Sequence, residues 1–149
     1  VRSSAASDVY KRQVCNMSMK ENAIKYFKSG YSCSESIVKA ASEAGLCSAE
    51  LLPIATSFSG GMSSGCVCGT LAAAQLINGY NFGRENTKGN EPVARQNSSK
   101  IVDEFKKRNK VTCCGILSAG LEGMARKEHC SKYVSDVCEI LEGIMSIHA

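Results

Sequence analysis

Tryptophan is absent, proline occurs only twice, and five tyrosines and four phenylalanines bring aromatics to just 6% of the 149 residues. Packing must therefore rest on Leu, Ile, Val, Ala and Met, and an apolar fraction of 44% is enough to build a core from them. Alternating β-branched runs are missing too. With so few helix breakers, that absence points to an all-α fold in one domain. No apolar run suits a membrane. The longest weakly polar stretch, Cys66 to Ile77, falls far short of the roughly 18–20 residues a spanning helix needs. No secretory pattern is visible, so the expected location is the cytoplasm and no membrane insertion is expected. The chain lacks a Ser-His-Asp arrangement, a phosphate loop, a dinucleotide fingerprint and a pair of catalytic carboxylates. Conventional hydrolase, kinase and dehydrogenase chemistry is left without support.

The first residues read differently from the rest. Residues 3–13, SSAASDVYKRQ, resemble the translation of a sequencing adapter, and the rival reading is a disordered basic tail. We therefore divide the chain into a tail, 1–16, and a helical domain, 17–149, with the natural start expected no earlier than Val14. The formal charge of +4 includes a net +2 from Arg2, Asp8, Lys11 and Arg12, which leaves only +2 on the remainder. No nucleic-acid footprint survives that correction. Lys106, Lys107, Arg108 and Lys110 do cluster, but at the end of an expected helix, where cations complement the dipole.

What the chain has in quantity is cysteine, nine in all: Cys15, Cys33, Cys47, Cys66, Cys68, Cys113, Cys114, Cys130 and Cys138. An odd count without a secretion signal argues against a disulfide framework. Metal or cluster ligation, redox thiols and buried structural thiols remain.

The stretch from Phe58 to Gly83, FSGGMSSGCVCGTLAAAQLINGYNFG, organises the rest. A Gly/Ser loop containing Gly60, Gly61, Ser63, Ser64 and Gly65 leads to Cys66 and Cys68. A run of small and apolar residues follows, with a stop signal at Asn78-Gly79. The pattern predicts a central helix beginning at Cys68 and Gly69, with the Cys68 thiol at its positive end, a place that favours thiolate. Around it we expect a single compact bundle of about five to seven helices. Their spans are Lys20–Lys28, a segment capped by Ser32 and Glu35 running through Ala44, Ala49 to about Phe58, Pro92 to about Asn109, Ile116 to about Met124, and Cys130 to Ile147.

Cys33, Cys68, Cys114 and Cys130 each fall at or near one of these helix starts. Four such ends meeting at one point would make a positive pocket of thiols, able to hold a soft metal or an iron-sulfur cluster. Four inert buried thiols are the bland alternative.

At these residues the chain resembles the C-GCAxxG-C-C family of redox-active proteins, over nearly all of Lys20 to Ile147. The carriers of the resemblance are GYSCSESIV with Cys33, FSGGM then VCGTLAA with Cys68 and Gly69, CGILSAG with Cys114, and CSKYVSDVCEILEGI with Cys130. Thr70 stands where the family has Ala, and Ala73 where it has Gly. The position of Leu117 selects Cys114 over its neighbour Cys113. The resemblance implies a helical four-cysteine redox module. Similar modules occur attached to haem-containing electron-transfer proteins, which leans toward a cluster carrying electrons and toward an electron-transfer or thiol-redox protein as partner. Gly61, Gly65 and Gly69 are then expected to border the cofactor.

Four readings compete. An iron-sulfur cluster on Cys33, Cys68, Cys114 and Cys130 would transfer single electrons. A dithiol would use Cys68 as attacker, with Cys33 or Cys114 resolving. Zinc on the same thiols would only staple the fold, with His129 a further candidate ligand. A plain helical interaction domain would use none of this chemistry. Of the remaining thiols, Cys66 lines the loop, Cys138 belongs to the core, and Cys47 is expected in a loop as an exposed free thiol. His148 lies at a frayed end. Nothing in the sequence sets the number of copies.

Overall fold

The computed structural model describes residues 17–89 and 92–148. The tail over 1–16, with Cys15, lies outside the described residues, as do Asn90, Glu91 and Ala149. The described residues form seven α-helices and no strand. None of these helices is long and apolar enough to cross a membrane.

Local signals account for the first two helices. α1, Met19–Lys28, is capped by Ser18, whose hydroxyl accepts from the Glu21 amide at 3.1 Å. α2, Cys33–Glu43, opens with the expected capping box. The Ser32 amide donates to Glu35 Oε1 at 2.9 Å, and the Glu35 amide donates back to Ser32 Oγ at 3.3 Å. Such a box is worth about 1 kcal/mol and fixes where Cys33 starts the helix. The segment expected as one helix up to Phe58 divides into α3, Leu51–Ala55, and a tighter turn, Thr56–Phe58. Pro53 is tolerated because it falls in the first turn of α3.

α4, Gly69–Phe82, is the central helix, and Cys68 is its N-cap. It runs past the expected stop at Asn78-Gly79. Asn78 is buried and donates to Ala94 O at 2.9 Å, while Asn81 donates to Leu46 O at 2.8 Å. These two bonds to neighbouring segments hold the last turn against its local preference. α5, Pro92–Asn109, matches its expected span. α6 is shorter than expected, Cys114–Leu117, and α7, Gly123–Ile147, begins well before Cys130.

The helices close a ring in the order α1, α2, α4, α5, α7 and back to α1, with α4 also touching α7. Ile37, Ile77, Ile101, Phe105 and Leu141 are fully buried inside that ring. Each stabilises the fold by roughly 1.5–3 kcal/mol through burial. Ala73 and Ala74, both with no exposure, let α4 approach its neighbours closely. One isolated antiparallel bridge, Val67 to Cys113, joins the loop before α4 to the loop before α6. The Cys68 amide donates to Thr112 O at 2.8 Å beside it. That bridge brings the second and third cysteine segments together.

Candidate functional site

Cys33, Cys68, Cys114 and Cys130 come from segments far apart in the chain, yet all four line one cavity of about 450 Å³. Phe27, Tyr31, Leu117 and Tyr133 supply its apolar wall, and Arg126 and Lys127 supply positive charge. Three of the thiols stand at helix starts: Cys33 as the first residue of α2, Cys68 as the cap of α4, and Cys114 as the first residue of α6. Cys130 does not. It sits about two turns inside α7, so the expectation of four converging helix starts is corrected to three starts and one helix face.

The glycines explain how closely these segments meet. A Cβ on Gly69 would lie 2.5 Å from Cys33 Sγ and 2.8 Å from Phe58 O. Only a glycine after Cys68 therefore lets the Cys33 sulfur rest against the start of α4. A Cβ on Gly61 would lie 2.7 Å from Cys114 Cβ. Gly65 instead packs beside Gly115, and its carbonyl accepts from Cys113 Sγ at 3.0 Å. The glycines that line the cavity are Gly30, Gly60 and Gly123, rather than the expected Gly61, Gly65 and Gly69.

The loop leading to Cys66 takes a left-handed course through Gly60, Gly61, Met62 and Ser63, with φ of 63, 64, 60 and 53°. Met62 and Ser63 carry side chains in that region, which costs on the order of 1–2 kcal/mol each. The turn aims the Gly60 amide at the Cys33 sulfur, joined there by the Ser34 amide. Cys68 Sγ lies 3.0 Å from the Thr70 hydroxyl, with the amides of Thr70 and Leu71 also facing it. Thr70 thus adds a side-chain hydrogen bond to the sulfur. Arg126 Nη2 donates to Cys114 Sγ at 3.4 Å.

The thiolate expectation is reversed in direction. Burial pushes Cys33 and Cys130 up, and Cys68 up to about 11. The facing amides, and Arg126 beside Cys130, offset only part of this. Cys47 and Cys138 behave likewise, pushed by burial to about 11 and about 12. The unfolded chain releases these protons near the ordinary value of 9.0, whereas the folded chain keeps them. Above pH 9 the unfolded state therefore binds fewer protons, and stability must fall as pH rises toward 11–12. In urea unfolding, the midpoint should stay flat from about pH 7 to about pH 9 and drop above it. Cys138→Ala should blunt the drop, and an unaltered slope would remove Cys138 from the explanation.

The remaining candidates fall elsewhere. Cys47 is buried, with its thiol 3.8 Å from Val38 O, which corrects the exposed-thiol expectation. Cys138 is fully buried in the core, and Cys66 is exposed. His129 Nε2 lies 2.8 Å from Leu117 O and 2.9 Å from the Tyr133 hydroxyl, tying α7 to the end of α6. His148 packs on Phe82 and lies 3.2 Å from Asn97 Oδ1. Among the described residues, no three His, Cys, Asp or Glu side chains stand close enough to hold a single metal ion. All four thiols are free and line the same cavity of about 450 Å³. That arrangement suits a ligand several atoms across. A donor set of four thiols, with backbone amides and a hydroxyl aimed at the sulfurs, fits an iron-sulfur cluster.

A family model described as "Putative redox-active protein (C_GCAxxG_C_C)" matches residues 31–144, a span that contains all four cysteines. No curated protein and no solved structure matches the chain.

Proposed function

The chain belongs to this C_GCAxxG_C_C family of putative redox-active proteins, and from that premise we propose that Cys33, Cys68, Cys114 and Cys130 bind an iron-sulfur cluster for electron transfer. The observation that carries this is the shared cavity, reached by four thiols from four separate segments. A bound cluster supplies one-electron chemistry. The chain's own residues do the rest. The amides of Gly60, Ser34, Thr70 and Leu71 and the Thr70 hydroxyl hydrogen-bond the sulfurs, and Phe27 and Leu117 limit water.

The single-zinc reading is disfavoured because zinc wants four sulfurs about 2.3 Å from one centre, and the described side chains do not gather that tightly. Dithiol exchange is disfavoured because its attacker must ionise, and burial pushes Cys68 up to about 11. A ligand thiol meets no such obstacle, since metal displaces its proton. The reading calls for a compartment that keeps thiols reduced, which the cytoplasm provides, and for a protein partner that gives or takes one electron.

Anaerobic purification should give a brown protein containing iron and acid-labile sulfide, with visible absorption bleached by dithionite. A colourless, iron-free product after reconstitution would overturn the proposal. If its free-thiol count also fell by two on mild oxidation, dithiol chemistry would take its place.

A further inference from the structure

Arg126 lies in the first turn of α7, where a cation opposes the positive end of the helix dipole. Its neighbour Lys127 has an evident structural reason to be there. Lys127 Nζ donates to Phe27 O at 2.7 Å and Tyr31 O at 2.9 Å, closing the end of α1. Arg126 has no such reason. Among the described residues no carboxylate pairs with it, and its guanidinium turns into the cavity toward Cys114 Sγ. The i to i+4 step along α7 puts it on the face of Cys130, whose sulfur also feels its charge. The other two sulfurs meet neutral donors only: amides at Cys33, amides and the Thr70 hydroxyl at Cys68. Of the two cations that line the cavity, Arg126 is the one turned to a sulfur, while Lys127 is tied to Phe27 O and Tyr31 O.

We propose that Arg126 is a positioning residue for the redox centre, a fixed positive charge on the Cys114–Cys130 side that raises the reduction potential. The inference rests on the cluster reading. Four thiolates make the centre anionic, and one electron taken from a protein donor, which is thereby oxidised, adds a further negative charge. A guanidinium, protonated at every working pH, stabilises the reduced form more than the oxidised one.

Two measurements test it, one on the loaded protein and one on the metal-free protein. In a redox titration, Arg126→Gln should lower the reduced-to-oxidised ratio at fixed potential several-fold, tenfold corresponding to about 59 mV for one electron. Arg126→Lys should recover most of the loss, which a merely structural role would not. In the metal-free protein at one pH, Cys114 and Cys130 should prefer anionic iodoacetate over neutral iodoacetamide when each is scored against Cys33. That preference should disappear in Arg126→Gln and persist in Arg126→Lys. A wild-type protein that takes up no iron sinks the cluster reading, and the reagent preference then decides the role of Arg126 alone. An Arg126→Gln protein with either readout unchanged overturns that role.

Discussion

Gly61→Ala is expected to destabilise the fold severely and to abolish cofactor uptake, whereas Gly60→Ala, one residue earlier, is expected to be mild. Both glycines are left-handed, with φ of 64 and 63°. An L side chain in that conformation costs about 1–2 kcal/mol at either position. The two differ in what the new methyl would meet. At Gly60 nothing lies within 4 Å of the added Cβ. At Gly61 the Cβ would sit 2.6 Å from the Cys66 amide nitrogen, 2.7 Å from Cys114 Cβ and 2.9 Å from Cys66 O. Two of those atoms are backbone and cannot swing away. The Cys66 amide also donates to Gly61 O at 3.0 Å, so moving it breaks the loop's own closure. Overpacking of this kind adds about 1–3 kcal/mol, a large share of a total stability of about 5–15 kcal/mol. Relief would come from separating the Gly61 loop from Cys114, the contact that draws two of the thiol segments together. Urea unfolding of both variants, with iron content after reconstitution, checks this. Equal losses at the two positions would show that conformation alone matters.

The fold was legible wherever a helix is started by its own residues. The Ser32–Glu35 box, Pro92 at the head of α5 and the Cys68–Gly69 junction all act locally, and all mark true helix starts. It was illegible where distant groups decide. The stop at Asn78-Gly79 fails because Ala94 and Leu46 offer carbonyls to the asparagines of α4. The early start of α7 was hidden because Arg126, Lys127 and His129 are anchored by polar contacts, so no apolar period announces their helix. The same division runs through the site. Cysteines declare their chemistry by residue type, and glycine after Cys68 does so by motif. Arg126 and Gly60 become relevant only once α6, α7 and the left-handed loop are folded together. The thiolate expectation failed on magnitude. A helix N-terminus contributes roughly 0.3–1 kcal/mol, less than the 1.36 kcal/mol of one pKa unit, while burial moves a thiol by several units. At Cys68 burial wins.

Serine replacement of each cysteine separates the competing uses of the thiols by rank order. If the four cavity thiols are cluster ligands, Cys33→Ser, Cys68→Ser, Cys114→Ser and Cys130→Ser should each lose most of the visible absorption and at least about tenfold in iron retention. A hydroxyl stays protonated and is a poor partner for a soft centre. Cys66→Ser and Cys113→Ser should keep both, since Cys66 is exposed and Cys113 Sγ is turned to Gly65 O. A dithiol predicts another order, with two of the four indispensable and the other two nearly silent. Packing alone predicts a third, graded by burial. Cys138, fully buried, would then be the most damaging site, and half-buried Cys33 and Cys130 would be among the mildest. The three orders disagree most at Cys130 and Cys138. A cluster requires Cys130 and is indifferent to the chemistry of Cys138, whose substitution should cost stability while leaving the colour intact. Iron content and unfolding midpoints measured on that pair of variants therefore decide among the readings with the fewest assumptions.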